Sequence, residues 1–250
     1  MTSPRVHRSI DWGLAAKSLV GLAWDTRRTD HVFTIISALT GDSFERVFRA
    51  FRRTPHGQRL LRERPSLAAI LSDRERLAAM PDGSLGREYL AFMDRAKIST
   101  EGLMAAQQAR IDPNAGLEPD ADRMYVGDRL RDMHDLWHVL TGYGADDTGE
   151  IANLWFSVGQ FGNPGMAFIA FFGTVAGRWD VRLGWPRYCW RAYVRGRRAA
   201  RLVSEPIEEM LELPLDEARR RLGMRPPERE HPEGVRHGYR KDGRLGAVAG

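Results

Sequence analysis

Asp122-Arg123-Met124-Tyr125-Val126-Gly127-Asp128-Arg129-Leu130-Arg131-Asp132-Met133-His134-Asp135-Leu136-Trp137-His138-Val139-Leu140-Thr141-Gly142-Tyr143-Gly144, with Glu150 beyond it, carries the densest chemistry of this chain. The spacing predicts one helix from about Asp122 to Thr141 that ends at Gly142. Gly142 and Gly144 supply a left-handed C-terminal cap and a tight turn, and a second helix begins near Thr148. His134 and His138, four residues apart, share one helix face about one turn from each other. Asp135 lies about 100° around from His134 and flanks the same point. The glycine turn folds the second helix back and brings Glu150 toward the histidine pair. Two imidazoles and two carboxylates at short range are the ligand set of a divalent cation. His134, Asp135, His138 and Glu150 are therefore the candidate metal ligands and the candidate catalytic centre.

Simpler roles exist for each of these residues. Cationic side chains near a helix C-terminus are favourable without any metal, and Glu150 fits a capping box with Asp147. Neither role accounts for the histidine pair together with Asp135, so the conjunction favours a metal. The pattern, H-D-x-x-H-x11-E, differs from the H-E-x-x-H protease motif because Asp follows His134. Arg131 precedes His134 by three residues and is a candidate clamp for a substrate carboxylate. The competing role for it is an ion pair with Asp128 or Asp135.

Working outward, helical periodicity recurs and strand signals are nearly absent. Helices are expected over about Trp12 to Trp24, His31 to Leu39 and Ser43 to Arg53, the last with Phe44, Val47, Phe48 and Phe51 on one face. Pro55-His56-Gly57 is read as a break, followed by a short helix to Arg64 that Pro65 stops, and a further helix near Arg87 to Asp94 follows the turn at 80–86. The fold class is all-α: a single helical domain over residues 1–222, with the metal site between two consecutive helices. Residues 223–250 form a Pro-, Gly- and charge-rich tail without core-forming residues, expected to be poorly ordered.

The 250 residues are 42% hydrophobic, enough for a substantial core, and the net charge is +5. The one cysteine, Cys189, has no internal disulfide partner, which points to a reducing compartment. No segment reaches the roughly 18 uncharged apolar residues of a membrane span. Met166-Ala167-Phe168-Ile169-Ala170-Phe171-Phe172 is apolar all round, so it is either core or the lining of an apolar pocket. Residues 178–201 hold eight arginines against one aspartate. Arg187, Arg191, Arg195, Arg198 and Arg201 fall on one stripe, interleaved with Trp and Tyr, a composition suited to a membrane headgroup layer. No nucleic-acid motif accompanies them.

These residues resemble the ubiquinone-biosynthesis family that is fourth in the coenzyme Q (Coq) series. Its signature is present as His134, Asp135, His138 and Glu150. Thr54-Pro55-His56-Gly57-Gln58-Arg59-Leu60-Leu61 with Arg64-Pro65 resembles an earlier block of that family, as does Pro81-Asp82-Gly83-Ser84-Leu85-Gly86-Arg87-Glu88-Tyr89. Tyr125-Val126, Arg129 and Arg131 resemble its lead-in, and Glu205-Pro206 and Leu213-Pro214-Leu215 its C-terminal block; the likeness spans about residues 30–222. The resemblance implies an all-helical fold and a divalent metal on the four motif residues, zinc first and iron or manganese as alternatives. It also adds to the helical domain an apolar lipid cavity, a pocket for a polyprenyl chain. The implied activity is replacement of the ring carboxyl of a polyprenylated 4-hydroxybenzoate, by simple or oxidative decarboxylation. The expected partners are that benzoate or quinone intermediate, a membrane surface, other ubiquinone-biosynthesis enzymes and a second copy of the chain, with no nucleic acid. The start of the chain is too short and weak for a mitochondrial presequence, so the expected location is the bacterial cytoplasm, peripheral on the inner face of the membrane. Two alternatives are an HD-type metal phosphohydrolase and a non-catalytic prenyl-lipid-binding scaffold. The first needs further His and Asp ligands, which His7, His31, His56, His231 and His237 do not supply.

Overall fold

The computed structural model describes residues 8–25, 28–96, 108–109, 111–114, 120–177, 184–232 and 234–235. Among them the helices are α1 (Trp12–Trp24), α2 (Thr29–Leu39), α3 (Ser43–Phe51), α4 (Pro55–Glu63), α5 (Leu67–Ser72), α6 (Arg74–Ala79), α7 (Leu85–Ala96), α8 (Ala121–Asp132), α9 (His134–Thr141), α10 (Asp147–Phe161), α11 (Pro164–Gly177), α12 (Trp185–Arg198), α13 (Leu215–Arg221) and α14 (Pro227–Glu230). Two 3₁₀ turns, Leu202–Ser204 and Ile207–Glu209, join α12 to α13. The described residues form no strand, only an isolated bridge between Ser84 and Pro214.

Most helix starts follow from capping. Asp11 accepts from the Leu14 amide, Thr54 from Gly57, Ser66 from Ala69 and Asp120 from Arg123. Pro55, expected to be a break, opens α4 instead: its missing N–H is harmless in a first turn and Thr54 caps it. The single helix expected over 122–141 is two helices. Met133 separates them with ψ near −11°, well short of the helical value, while its fully buried side chain sits in the core. The ladder continues through the break, since the Met133 amide reaches the Arg129 carbonyl and its own carbonyl accepts from Trp137. The histidine pair thus opens a helix of its own, α9.

The layering is helix on helix. α10 packs mainly along α12 and also along α11, while α2 packs on α1 and α11. At the α10–α12 crossing, a Cβ on Gly159 would stand 2.4 Å from the Tyr193 carbonyl oxygen, and one on Gly196 would stand 2.1 Å from that of Phe156. Only glycine permits backbones that close. A large core cluster runs from Val47 through Trp137 and Phe156 to Leu222, and a smaller one joins Ala15, Ile35, Ala38, Leu39 and Ile169.

The segments that carry the family resemblance meet in space. The Leu85 and Gly86 amides donate to the Leu213 and Leu211 carbonyls at 2.9 and 2.8 Å, and the Leu215 amide donates to Gly83 at 2.9 Å. Arg129, buried, pairs with Glu208 and donates to the Val203 and Glu205 carbonyls. Arg59 pairs with Glu209 at 2.6 Å. These bonds fix α7 and α8, the helices that flank α9.

Three expectations change here. The run at 166–172 is not buried all round: Ile169 and Ala170 are, but Phe171 and Phe172 face outward, because α11 meets α2 and α10 on only part of its circumference. The arginine stripe is interrupted. Arg195 is 2% exposed and turned inward, donating to the Thr141 and Arg225 carbonyls, and Arg201 lies past the end of α12. The stripe followed from helical spacing, which does not reveal that carbonyls at a neighbouring helix end are waiting for a guanidinium. The chain past Leu222, expected to lack core residues, buries Met224, Pro227 and His231. The rest of that tail, from residue 236, lies outside the described residues.

Candidate metal centre

α9 begins at His134 and ends at Gly142, whose φ of 78° is the left-handed cap that glycine favours. Its final carbonyls, which no intrahelical amide reaches, each have a donor. The Gly142 amide donates to His138 at 2.8 Å. Arg219 donates through Nη2 to Val139 at 3.1 Å and through Nε to Leu140 at 2.9 Å. Arg195 takes Thr141. Two guanidiniums at the negative end of the dipole hold this short helix in place. The sequence reading missed both, since they arrive from α12 and α13.

The return helix α10 is capped by Asp146, which accepts from the Thr148 and Gly149 amides at 3.1 and 2.9 Å. Gly149 abuts the preceding turn so closely that a Cβ would lie 1.9 Å from the Gly144 carbonyl oxygen. The competing role for Glu150, a capping box with Asp147, is not the one the helix uses. Asp146 does the capping, so Glu150 turns to the histidines.

The structure brings three of the four motif side chains to one point. Ligand atoms of His134, His138 and Glu150 all lie within 4.8 Å of one another. His134 Nε2 is 3.8 Å from Glu150 Oε2, and His138 Nε2 is 3.5 Å from Glu150 Oε1. Asp135, expected as a fourth ligand, is placed differently: its Oδ1 accepts from His134 Nδ1 at 3.1 Å. Adjacent residues on a helix diverge by about 100°, so Asp135 reaches the near nitrogen of His134 while the far nitrogen faces Glu150. His138 is oriented likewise, with Nδ1 donating to the Tyr143 carbonyl at 3.3 Å and the ring stacked on Phe92 at 5.3 Å.

His138 Nε2 is buried with no hydrogen-bond partner among the described residues. An orphaned imidazole nitrogen facing a carboxylate and a second imidazole is costly without an occupant. Two imidazoles and one carboxylate, each imidazole held through its other nitrogen by an oxygen, suit a divalent cation with positions left for substrate. The residues therefore fit the metal that the sequence pattern implies. The side chain of His138 is 1% exposed, whereas those of His134 and Glu150 are 31% and 38% exposed. The cluster is reached from the His134–Glu150 side.

In the metal-free cluster, burial pushes the His134 ring down, but its bond to Asp135 and the charges of Glu150 and Asp135 outweigh this and raise it to about 9. Burial raises Glu150, and the two histidines overcome that and lower it to about 2. Arg131 is not brought to the cluster: Nη1 pairs with Asp128 at 2.8 Å and Nη2 with Asp132 at 2.7 Å. The structure shows the competing role for Arg131, since acidic neighbours on its own helix hold the guanidinium.

An all-helical protein with a His-His-Glu donor set at a glycine-turn hairpin is the class these features define. Comparison with known sequences narrows it. Residues 5–228 match the family described as coenzyme Q (ubiquinone) biosynthesis protein Coq4, and the chain belongs to that family. It is 30% identical over 224 residues to the mouse ubiquinone biosynthesis protein COQ4 homolog, mitochondrial, covering 89% of this chain and 80% of that one. The human homologue is 32% identical over 216 residues, covering 86% and 78%. A Phaeosphaeria nodorum COQ4 is 32% identical over 237 residues, covering 92% and 77%. A Nostoc punctiforme crystal structure, described as of a ubiquinone biosynthesis protein, has the same fold: TM-score 0.60 at 21% identity, over 86% of this chain and 99% of that one.

Proposed function

We propose that this protein removes the ring carboxyl of a polyprenylated 4-hydroxybenzoate during ubiquinone synthesis, with a divalent metal held by His134, His138 and Glu150. The observation that carries the metal part is the convergence of His134, His138 and Glu150, with the buried Nε2 of His138 making no hydrogen bond and lying 3.5 Å from Glu150 Oε1. The reaction itself is what the family resemblance implies. Such a metal supplies Lewis-acid stabilisation for charge developing on a phenolate or carboxylate oxygen. The chain's own groups prepare that chemistry. Asp135 and the Tyr143 carbonyl hold Nδ1 of the two histidines, so each turns Nε2 toward the cluster, where a metal would displace the remaining proton of His134. Glu150 stays ionised at neutral pH. The aromatic ring approaches from the exposed His134–Glu150 side. The prenyl chain is assigned to the apolar residues between Phe161 and Phe172; Phe161 packs tilted against Trp137, the neighbour of His138, with ring centroids 5.1 Å apart.

No helix among the described residues is long and apolar enough to cross a membrane. Outward-facing Trp12, Trp24, Phe171 and Phe172 support work at a bilayer surface, where a polyprenylated substrate resides. Zinc fits the donor set; iron or manganese fits it also and, if carboxyl loss is oxidative, would relay electrons from the ring to dioxygen as the oxidant.

The test is the lipid content of a deletion strain. A prenylated ring that keeps its carboxyl should accumulate, and H134A should behave like the deletion. Normal ubiquinone, or intermediates that already lack the carboxyl, would overturn the assignment. A Glu150→Gln protein that restores ubiquinone fully, while still binding prenyl lipid, would establish the non-catalytic scaffold instead.

A further inference from the structure

Tyr143 is held from two sides. Its carbonyl accepts the Nδ1 proton of His138, and its hydroxyl shares a 2.9 Å hydrogen bond with Nε2 of His231. Both rings are buried, His231 at 0% exposure. His231 lies just past α14, tilted against Tyr188 with ring centroids 4.1 Å apart, and Tyr143 packs edge-on to both rings. The segment carrying His231 closes over the turn that follows α9. Arg195 Nη2 donates to the Arg225 carbonyl at 3.0 Å, and a Cβ on Gly142 would come within 2.8 Å of Pro227.

Tyr143 stands between Gly142 and Gly144. Glycine on either side gives this turn softer torsions than most; packing of Gly144 against Gly149 and the Gly142 cap restrain its backbone, and the Tyr143 side chain adds a restraint from the other side. That restraint is a ring wedged among Tyr188, His231 and Arg195 and a hydroxyl tied to the C-terminal segment. We infer that His231 and the Tyr143 hydroxyl are a positioning pair, which aims the Tyr143 carbonyl at His138 Nδ1 and so keeps His138 Nε2 turned to the metal cluster. Residues 224–231 are then a functional strap on the turn behind the centre, although their Pro- and charge-rich composition reads as loose tail. The inference rests on the metal reading only where metal affinity is the readout.

The test uses the full chain with Tyr143→Phe, His231→Leu, His231→Gln and the Tyr143→Phe/His231→Leu double variant. Cobalt(II) binding is followed by its visible absorption. The nitrogen chemical shifts of the His138 ring are read by NMR in metal-free protein, and thermal midpoints are recorded alongside. Y143F and H231L should each weaken cobalt binding by about tenfold, the lower end for loss of an outer-shell partner. Each should also shift the His138 ring toward a mixture of tautomers. The double variant should be no worse than either single one, because both remove the same bond. H231Q, whose amide reaches the position of Nε2, should stay within a few-fold of wild type. Lowered midpoints with unchanged cobalt affinity and unchanged His138 ring shifts would overturn the inference, as would additive losses. Should wild type bind no cobalt, the metal reading fails and the ring shifts of metal-free protein alone decide this one.

Discussion

Asp135 shows why a ligand and a ligand's partner look alike in sequence. Spacing places it beside His134, but only side-chain geometry assigns its oxygen to Nδ1 rather than to the cluster. The distinction is measurable. Asp135→Asn leaves three ligands in place yet presents an amide that can donate to Nδ1 and favour the wrong tautomer, so metal affinity should fall about 10–100-fold. His138→Ala removes a ligand and should abolish stoichiometric binding. Equal loss in the two would make Asp135 a ligand after all, and no loss in D135N would remove its orienting role; calorimetric titration with zinc measures both. The same residues set a pH dependence. The His134 pKa is raised in the fold, so the stability it contributes is full below its ordinary value near 6.5 and is lost as pH rises through about 9. The Glu150 pKa is lowered, so its contribution is present above about 4.5 and is lost as pH falls through about 2. Metal-free protein should therefore lose thermal stability between about pH 6.5 and 9. Metal-loaded protein, in which that proton has already been displaced, should not. Parallel profiles for the two forms would contradict a shared site on His134.

At the scale of elements, much was written locally. α1 spans the predicted limits because Asp11 caps its start, and Gly142 ends α9 where expected. The break at Met133 left no mark in the sequence, for neither proline nor glycine makes it. Nor did α9 announce its dependence on distant arginines. Eight residues are too few for a stable isolated helix, so Arg195 and Arg219 supply from other helices what length does not. Arg219→Ala should cost about 1–3 kcal/mol by stranding the Val139 and Leu140 carbonyls. The thermal midpoint should drop by several degrees, at about 2–4 °C per kcal/mol for a chain of this size. Arg219→Lys should rescue little, since an ammonium does not span two carbonyls as the guanidinium fork does. A midpoint within one degree of wild type for R219A would show that water replaces the guanidinium at no cost. The tail escaped the sequence reading for a related reason: burial of His231 depends on partners, Tyr143 and Tyr188, that lie far back along the chain.

For the whole molecule, two surfaces compete for the role of membrane contact, and their physics differs. The arginine stripe is reduced by the inward turn of Arg195, leaving Arg187, Arg198 and Arg201 exposed. The other surface is apolar. Trp12 packs edge-on to Phe168, which meets Phe172, which meets Phe171, a continuous aromatic path from α1 to α11; Trp24, 87% exposed, closes the far end of α1. Arginines at a bilayer act through anionic lipid at about 1 kcal/mol each and are screened by salt. Buried aromatic area acts on any lipid and resists salt. Charge reversal of Arg187, Arg198 and Arg201 to Glu should therefore weaken binding to anionic vesicles by on the order of a hundredfold at low salt, with no effect on neutral vesicles. Replacing Trp12, Trp24 and Phe171 by Ser should weaken binding to both kinds of vesicle at every ionic strength, with the helical signal intact. Flotation assays across salt and lipid charge separate the two. Undiminished flotation of the aromatic variant would reassign that face to a protein partner, and undiminished flotation of the charge-reversed variant would reduce the arginines to a solvated face.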